Sequence, residues 1–226
     1  TLNRVTLAEN TAAKNGAGLM GTDGSTFRIL NSTVSGNRLT PKGVGAGIAI
    51  FNSSTTIRNA TFANNSVGCD SGCWANSIFI DRGSVSITST IVSNGKGGCV
   101  QCVFNAGAAY NNGGGNVETG DDSCQGFKRA DVKLAALSMN GGQTPTHALQ
   151  SGSAAIGLGV NCLDIDQRGV SRPQGGACDS GAFESDGGLI PLPTPVTPKP
   201  PTPTPPTPIP TEPKPGAFSI TKPGNM

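Results

Sequence analysis

The chain has 226 residues, a formal net charge of +2 and no basic run with interleaved aromatics, so it lacks the features of a nucleic-acid-binding protein. It contains no run of about 18 apolar residues that would predict a transmembrane helix, and no charged-then-apolar leader is visible. With 33 Gly, 17 Pro and 4% aromatic residues, it has too little material for a thick aromatic core.

Between residues 30 and 81 one pattern of short apolar segments occurs twice. LNSTVSGN at 30–37 returns as RNATFANN at 58–65, and GAGIAIFN at 45–52 returns as ANSIFID at 75–81. A repeat of this length, with Asn and Gly between the apolar segments, is typical of a solenoid. The sequence therefore predicts an all-β protein, a parallel β-helix with coils of about 28–30 residues.

The frame of the repeat extends in both directions. Leu7 in RVTLAEN and Leu19 in GAGLMG lie one period before their counterparts Val34 and Ile48, and Ile91 in STIVSN lies one period after Phe62. Coils are therefore expected to fill residues 1–130. Because the first residue falls in the middle of a coil, we expect the natural chain to continue upstream.

Each coil is expected to contribute two or three short strands, at 4–7, 19–20, 26–30, 47–51, 55–62, 77–80 and 85–92. Alternation places apolar side chains on the face that fills the lumen: Phe27, Ile29, Ile57, Val85 and Ile87. Asn37, Asn65 and Asn94 recur at one corner, where Asn tolerates a left-handed backbone and its amide can bond its copy in the next coil. We interpret this row as a structural ladder, and not as a sugar site, because a corner forms no groove.

Seven cysteines indicate an oxidising compartment. Cys69 and Cys99 are separated by one period of the repeat, as are Cys73 and Cys102, so each pair is expected to stack in adjacent coils. Adjacent coils lie about 4.8 Å apart, within the Cα separation that a disulfide tolerates. The predicted disulfides are therefore Cys69–Cys99 and Cys73–Cys102. Pairing within CDSGC or CVQC, and a four-cysteine zinc site, are the alternatives.

The other three cysteines lie further along the chain. Cys162 and Cys178 can close a short loop, which contributes about 3 kcal/mol in the chain-entropy model. Cys124 is then left over. It belongs to residues 98–131, a glycine-rich stretch that we interpret as a last, irregular coil.

Two features after residue 120 are ambiguous in the sequence. Asp121 and Asp122 could attract Ca²⁺, but adjacent carboxylates point in opposite directions in an extended chain, so a solvated turn is favoured and no metal or cofactor is predicted. Residues 131–150 show helix-compatible spacing of apolar residues, followed by a Gly-Gly and Pro turn.

Three motifs then carry a resemblance to a known family. NGGQTPTHAL at 140–149, GSAAIGLG at 152–159 and DQRGVSRPQGGACDSGAFE at 166–184 resemble the closing segment of bacterial choice-of-anchor Q domain proteins, and LNSTVSGN and GAGIAIFN resemble the repeats that precede it. The resemblance covers roughly residues 1–185 and is most specific over the third motif. It implies a right-handed parallel β-helix of the pectate-lyase-like superfold, exported to the cell surface with a variable C-terminal anchor and without enzymatic activity.

Residues 131–185 are interpreted as a cap, because the end of a solenoid exposes unpaired strands that must be blocked. Its charged residues are expected to pair with one another and with backbone carbonyls at the final coil: Asp166, Arg168, Arg172, Asp179 and Glu184. The alternative makes the three acids catalytic groups of a glycosidase or polysaccharide lyase on the same fold. They lie in a cap and not along a groove, and His147, the one histidine, is interpreted as a hydrogen-bonded turn residue, so no enzymatic activity is predicted.

The chain changes character after residue 185. Residues 186–216 are rich in Pro and Thr, which predicts a stiff polyproline II spacer. Its candidate O-glycosylation sites are Thr194, Thr197, Thr202, Thr204 and Thr207. Residues 217–226 carry Phe218 and Ile220 on one face of a short strand, which resembles the opening strand of an immunoglobulin-like or fibronectin-like domain.

The sequence as a whole predicts a secreted, non-catalytic structural or adhesive β-helix protein of the bacterial cell surface. We expect copies to assemble head-to-tail into a filament, with the strand of Phe218 and Ile220 added to an exposed edge of a neighbouring copy. A tethered monomer is the simpler arrangement. A carbohydrate-binding module that takes surface glycans is the other alternative, although Trp74 and Tyr110 are the only Trp and Tyr and form no aromatic row.

Overall fold

The computed structural model describes residues 1–40, 43–68, 74–93, 95 and 99–186. These residues form sixteen strands, with no helix among them: β1 (Leu2–Asn3), β2 (Thr6–Ala8), β3 (Thr11–Ala12), β4 (Leu19–Gly21), β5 (Thr26–Leu30), β6 (Thr33–Ser35), β7 (Arg38–Leu39), β8 (Ile48–Arg58), β9 (Thr61–Ala63), β10 (Ser66–Val67), β11 (Ile78–Thr88), β12 (Ile91–Ser93), β13 (Cys102–Phe104), β14 (Ala108–Asn112), β15 (Val117–Thr119) and β16 (Lys128–Arg129). The predicted all-β fold is confirmed.

Three parallel sheets run along the axis of the β-helix. The long sheet contains β1, β4, β5, β8, β11, β13 and β14; the short sheet has the order β10-β7-β3; and the third sheet, which we call the covered sheet, has the order β16-β15-β12-β9-β6-β2. Every strand pair is parallel, and Val34 lies beside Phe62 and Ile48 beside Ile78, as the repeat predicts. The chain is thus a parallel β-helix.

Apolar side chains from the long and covered sheets fill the lumen. The predicted residues Ile29, Ile57, Val85 and Ile87 are buried there, with Phe27 packed against them. The prediction for Ile91 was wrong by one residue, because Val92 lies beside Phe62 and Ile91 lies beside Thr61. A slip of one residue moves a side chain to the opposite face of a strand. Val92 therefore fills the lumen and Ile91 faces outward.

The corner before the covered sheet uses a left-handed backbone in four successive coils. Arg4, Asn31, Asn59 and Ser89 have φ of 61°, 43°, 49° and 48°. The predicted strands 55–62 and 85–92 are therefore interrupted at Asn59 and Ser89, and the predicted strand 4–7 begins only after Arg4. At this corner Asn is favoured because its short polar side chain tolerates the left-handed region.

The asparagine ladder lies at a second corner. Asn37 donates from Nδ2 to Asn65 Oδ1 at 2.9 Å, and Asn10 donates in the same way to Asn37 at 2.9 Å. Asn37 and Asn65 are fully buried. Contrary to the prediction, their own backbone is not left-handed; Gly36 and Asn64, one residue earlier, have φ of 66° and 57°. Asn94 lies outside the described residues.

Residues 131–186 form no helix, so the helix-compatible spacing at 131–150 was misleading. The stretch is extended, with antiparallel bridges that join Leu134 to Leu149 and Ser138 to Thr146. Its apolar residues pack against Ile91 and Val117 on the outward face of the covered sheet. The residues of the stretch in this cluster are Val132, Ala148, Leu149, Ala155 and Phe183. We call residues 131–186 the covering segment.

The covering segment crosses all coils from the first to the last, and this corrects the prediction of a cap at the final coil. Thr6 donates to the Pro145 carbonyl at 2.6 Å, the Ala182 amide donates to Thr61 Oγ1 at 2.9 Å, and Ser180 donates to the Gly115 carbonyl. The segment therefore lies along the flank of the β-helix. The apolar side chains on both faces of β12 required such a cover, since both faces are buried.

The disulfides differ in part from the prediction. Cys162 and Cys178 are linked, as expected. Cys102 pairs with Cys124 and not with Cys73, so Cys124 is not left over. The glycine-rich stretch brings Cys124 back to β13, so that the Cα atoms of Cys102 and Cys124 lie 4.9 Å apart. Cys99 is disulfide-bonded as well, and Cys69 and Cys73 lie outside the described residues.

The described part of the chain contains no helix long and apolar enough to cross a membrane. The predicted spacer at 186–216, its threonines Thr194, Thr197, Thr202, Thr204 and Thr207, and the strand of Phe218 and Ile220 lie outside the described residues, except for the first spacer residue.

Candidate functional site: the ionic network of the covering segment

Asp166 and Arg168 form the first half of a buried network. Asp166 is fully buried, and its carboxylate accepts hydrogen bonds from the backbone amides of Arg168, Val170 and Glu184 at 2.8, 2.9 and 3.0 Å. The Arg168 guanidinium binds the same carboxylate at 2.8 Å and lies 3.6 Å from the centre of the Phe183 ring. Asp166 thus closes a turn, and Arg168 fixes that turn to the end of the covering segment.

Arg172 and Glu184 form the second half, and both side chains are 1% exposed. Arg172 Nη1 binds Glu184 Oε2 at 2.6 Å, and the guanidinium also donates to the carbonyls of Asp179 and Gly181 at 2.9 and 2.7 Å. Glu184 accepts from the amides of Asp179 and Gln174 at 2.9 and 3.0 Å. The predicted pairing among the charged residues is therefore present.

Asp179 completes the network without a charged partner. Its carboxylate accepts from the Gly157 amide at 2.8 Å, from the Ser185 amide at 2.7 Å and from the Ser185 hydroxyl at 2.6 Å. These bonds join the loop that carries GSAAIGLG to the end of the segment. The carboxylate is bound by donors on both oxygens, as those of Asp166 and Glu184 are.

Burial dominates the electrostatics of the Arg172–Glu184 pair. Desolvation raises the pKa of Glu184, against the amides of Asp179 and Gln174 and the positive charge of Arg172, which lower it. Desolvation also lowers the pKa of Arg172, against the attraction of Glu184 and Asp166. Charged groups that are buried in this way require all of their partners, because removal of one leaves the other uncompensated.

Two buried residues connect the covering segment to the coils. Gln167 was not singled out in the sequence, and His147 was interpreted there only as a hydrogen-bonded turn residue. Gln167 is 2% exposed; its Oε1 accepts from Thr33 at 2.7 Å and its Nε2 donates to Thr6 and Thr144, both at 2.8 Å. His147 is also 2% exposed, and its ring bonds the Ser35 hydroxyl and the Ala135 carbonyl at 2.8 and 2.7 Å. A column of outward Thr at positions 6, 33 and 61 was the available signal.

Asp121 and Asp122, the two acids considered for Ca²⁺, lie outside this network. Among the residues that the structure describes, no three His, Cys, Asp or Glu side chains are grouped so that they could hold a metal ion. Asp121 accepts from the hydroxyl of Ser123 at 2.6 Å and from the amide of Gln101 at 3.2 Å. Asp122 is exposed at a left-handed turn with φ of 63°.

The outward face of the long sheet carries a shallow depression of about 300 Å³. Rows of hydroxyl and amide groups line it, among them Ser54, Thr56, Ser84, Ser86 and Asn111. Ser84 donates to Ser54 at 3.1 Å and Asn111 donates to Ser86 at 3.2 Å. Tyr110 is stacked on Phe104, with ring centres 4.3 Å apart, so its ring belongs to the packing of the coil.

Comparison of the chain with protein-family models, with curated proteins and with solved structures gives no match. The assignment of a role therefore depends on the geometry of the coils and of the covering segment.

Proposed function

We propose that this chain is a non-catalytic structural module of an extracellular surface protein. The observation that supports it is the burial and hydrogen bonding of the three acids of the ionic network. Asp166, Asp179 and Glu184 are each at most 2% exposed, and each carboxylate accepts hydrogen bonds at both oxygens. Hydrolysis of a glycosidic bond needs a pair of carboxyl groups that face a substrate. These groups face the protein and act as cross-links.

The extracellular location and the bacterial cell surface are part of the proposal. The cysteines within the described residues are all disulfide-bonded: Cys99, Cys102, Cys124, Cys162 and Cys178. Structural disulfides persist in oxidising compartments. This fits the export that the choice-of-anchor Q resemblance implies.

Head-to-tail assembly is the finer part of the proposal. Within the described residues, β16 pairs only with β15, so the last coil has a free backbone edge. The opposite end of a second copy is a coil of the same parallel pitch, and it can continue the ladder from this edge. Because the contact is not self-complementary, it propagates into a filament.

Electron microscopy of the purified chain tests the assembly. Continuous fibres are expected, and isolated short rods at working concentration would show a tethered module instead. The amides of Lys128 and Ala130 donate to β15, so the amide of Arg129 between them faces away from it. Arg129→Pro should therefore shorten the fibres, whereas Arg129→Gln, which removes the charge but keeps the amide, should not.

A carbohydrate-binding role is the second candidate, and the hydroxyl-lined depression on the long sheet favours it. A glycan array with the purified chain tests this candidate. Thr56→Val keeps the shape of the side chain and removes one hydroxyl, so it should weaken any glycan signal that arises from the depression. An unchanged signal would assign the glycan to another surface.

A further inference from the structure

Glu118 is an acid in an otherwise apolar column of the lumen. In the covered sheet Leu7 lies beside Val34, Val34 beside Phe62, Phe62 beside Val92, and Val92 beside Glu118. Glu118 is 0% exposed. It lies in β15, in the last coil, which has a neighbouring coil on one side and only the two residues of β16 on the other.

The carboxyl group of Glu118 is poorly bound for an ionised acid. Oε2 accepts one hydrogen bond, from the Cys124 amide at 3.3 Å, and Oε1 is buried without a partner. A buried carboxylate needs several donors, whereas the neutral acid does not carry the same desolvation cost. The site therefore favours the protonated form.

The charged groups around Glu118 act in both directions. Burial is the main cause that raises the pKa of Glu118, to about 7, and Asp121 and Asp122 add to it, while the Cys124 amide and Arg129 lower it. Arg129 lies beside Glu118 in the ladder but is exposed, and no ion pair joins the two among the described residues. No charged residue of β12, the strand on the other side, faces it.

The Cys102–Cys124 disulfide is closed in by the same coil. Cys124 is 0% exposed and Cys102 is 3% exposed, and both belong to the lumen cluster that contains Val92 and Phe127. The bond from the Cys124 amide to Glu118 joins the disulfide directly to the acid.

We propose that residues 113–130 form a proton-controlled closure, which is shut while Glu118 is protonated and opens more often when Glu118 is ionised, so that the Cys102–Cys124 disulfide becomes accessible to reductants. An ionised Glu118 gains hydration only if β15 leaves the lumen. The last coil is the place where this costs least, because it has the fewest neighbours. The device goes beyond the proposed structural role and concerns a chain whose β16 carries no second copy.

The sign of the pH dependence of opening follows from the linkage between proton binding and closure. A carboxyl group whose pKa is raised in the closed state binds its proton more tightly there, so closure is strongest at low pH. The open fraction rises as the pH increases from about 4.5 to about 7, on the order of a hundredfold in total, and is level above that range.

Reduction of the two described disulfides with a water-soluble phosphine at pH 5 and pH 8, followed by alkylation and mass spectrometry, tests the closure. Each reduction consumes one water molecule and converts one disulfide to two thiols and the phosphine to its oxide. Cys162–Cys178 serves as the internal reference at each pH. The rate ratio of Cys102–Cys124 to Cys162–Cys178 should rise roughly fiftyfold between pH 5 and pH 8 in the unaltered chain.

Glu118→Gln keeps the shape of the side chain and cannot ionise, so its rate ratio should be the same at both pH values. Asp122→Asn, a carboxyl-to-amide change at an exposed neighbour, should keep the rise. A constant ratio in the unaltered chain would overturn the proposal even if Glu118→Gln did not fold. If the rate ratio no longer rose with pH in Asp122→Asn, as in Glu118→Gln, the proposal would also be overturned, because surface charge would then explain the pH dependence.

Discussion

Thr33 donates a 2.7 Å hydrogen bond to the side chain of Gln167, a residue 134 positions later in the chain. The same Gln167 side chain donates to Thr6 in the first coil, and its backbone carbonyl accepts from Arg4 at 3.0 Å. A solenoid normally has contacts only between neighbouring coils and can unfold from its ends. Here the covering segment joins the first coil to the last, so we expect the coils and the segment to unfold together.

Gln167→Ala should reduce both stability and cooperativity. It leaves the hydroxyl of Thr33, which is fully buried, without its partner, whereas Thr6 and Thr144 keep their bonds to the carbonyls of Pro145 and Arg4. An unsatisfied buried group costs about 1–3 kcal/mol, so we expect a loss of roughly 2 kcal/mol in the free energy of unfolding, and faster amide exchange in the first coil than in the third. Urea unfolding with hydrogen exchange measures both.

Gln174→Ala is the matched control for Gln167→Ala. Gln174 is exposed, and its side chain bonds only the Ser171 carbonyl at 2.7 Å, while its amide bond to Glu184 is kept in the variant. Its stability should change by about 0.5 kcal/mol or less. If Gln167→Ala were equally mild, the covering segment would not depend on Gln167.

Glu184→Gln should be strongly destabilising. The change keeps the shape of the side chain but leaves the Arg172 guanidinium, which is 1% exposed, without its counter-charge. Removal of one partner of a buried ion pair costs about 3–5 kcal/mol, so we expect a loss of roughly 3 kcal/mol in denaturant unfolding.

The exposed pair of Arg82 and Asp81 provides the control for Glu184→Gln. The Arg82 side chain is 64% exposed and lies 3.2 Å from Asp81. Arg82→Gln should therefore change stability by less than about 1 kcal/mol. Similar losses of stability in Arg82→Gln and Glu184→Gln would mean that the buried Arg172–Glu184 pair stabilises the fold no more than an exposed pair does.

The lumen of the β-helix could be predicted from the sequence, because its residues repeat with the period of the coil. The covering segment could not, since its contacts with the coils join residues that are distant in the chain and follow no period. The family resemblance pointed to the charged residues 166–184 but not to where they dock. The pair Ile91–Val92 carried the missing signal, because two adjacent apolar residues in a strand indicate burial on both faces.

The cysteine prediction shows the limit of arguing from the period alone. A separation of one period placed Cys73 and Cys102 in adjacent coils, but Cys124, at a sequence separation of 22, bonds Cys102 instead. The last coil is shorter than the one before it, because Glu118 follows Val92 more closely in the chain than Val92 follows Phe62. A disulfide prediction based on the period was therefore wrong in the coil that leads into the covering segment.

Gly181→Ala tests the close contact between the covering segment and the covered sheet. Gly181 has φ of 91°, and a Cβ atom there would lie 2.5 Å from Ile91 Cδ1 and 2.8 Å from Thr61 Oγ1. Gly141 has φ of 90° but no atom within 4 Å of such a Cβ, so Gly141→Ala measures backbone strain alone. We expect a loss of roughly 1–2 kcal/mol for Gly141→Ala and at least about 2 kcal/mol more for Gly181→Ala in thermal or urea unfolding. Equal losses would show that the segment can move away from Ile91 without cost.

His147 should make stability fall as the solution becomes acidic. The Ala135 carbonyl can only accept, so Nδ1 carries the proton and Nε2 accepts from the Ser35 hydroxyl, which fixes a neutral imidazole. Burial lowers the pKa of His147, and the bond to Ala135 opposes this in part. Because the folded state then binds its proton less tightly than the unfolded state, the stabilisation is complete above about pH 6.5 and is lost as the pH falls below that value.

His147→Gln removes this titration and provides the measurement. The stability difference between the unaltered chain and the variant should shrink by on the order of 1 kcal/mol between pH 7.5 and pH 5 in urea unfolding. Glu118 acts in the opposite direction over pH 4.5–7, but it is present in both proteins, so its contribution cancels in the difference. A difference that stays constant with pH would mean that the buried imidazole can take up a proton in place, with Ser35 turning to accept it.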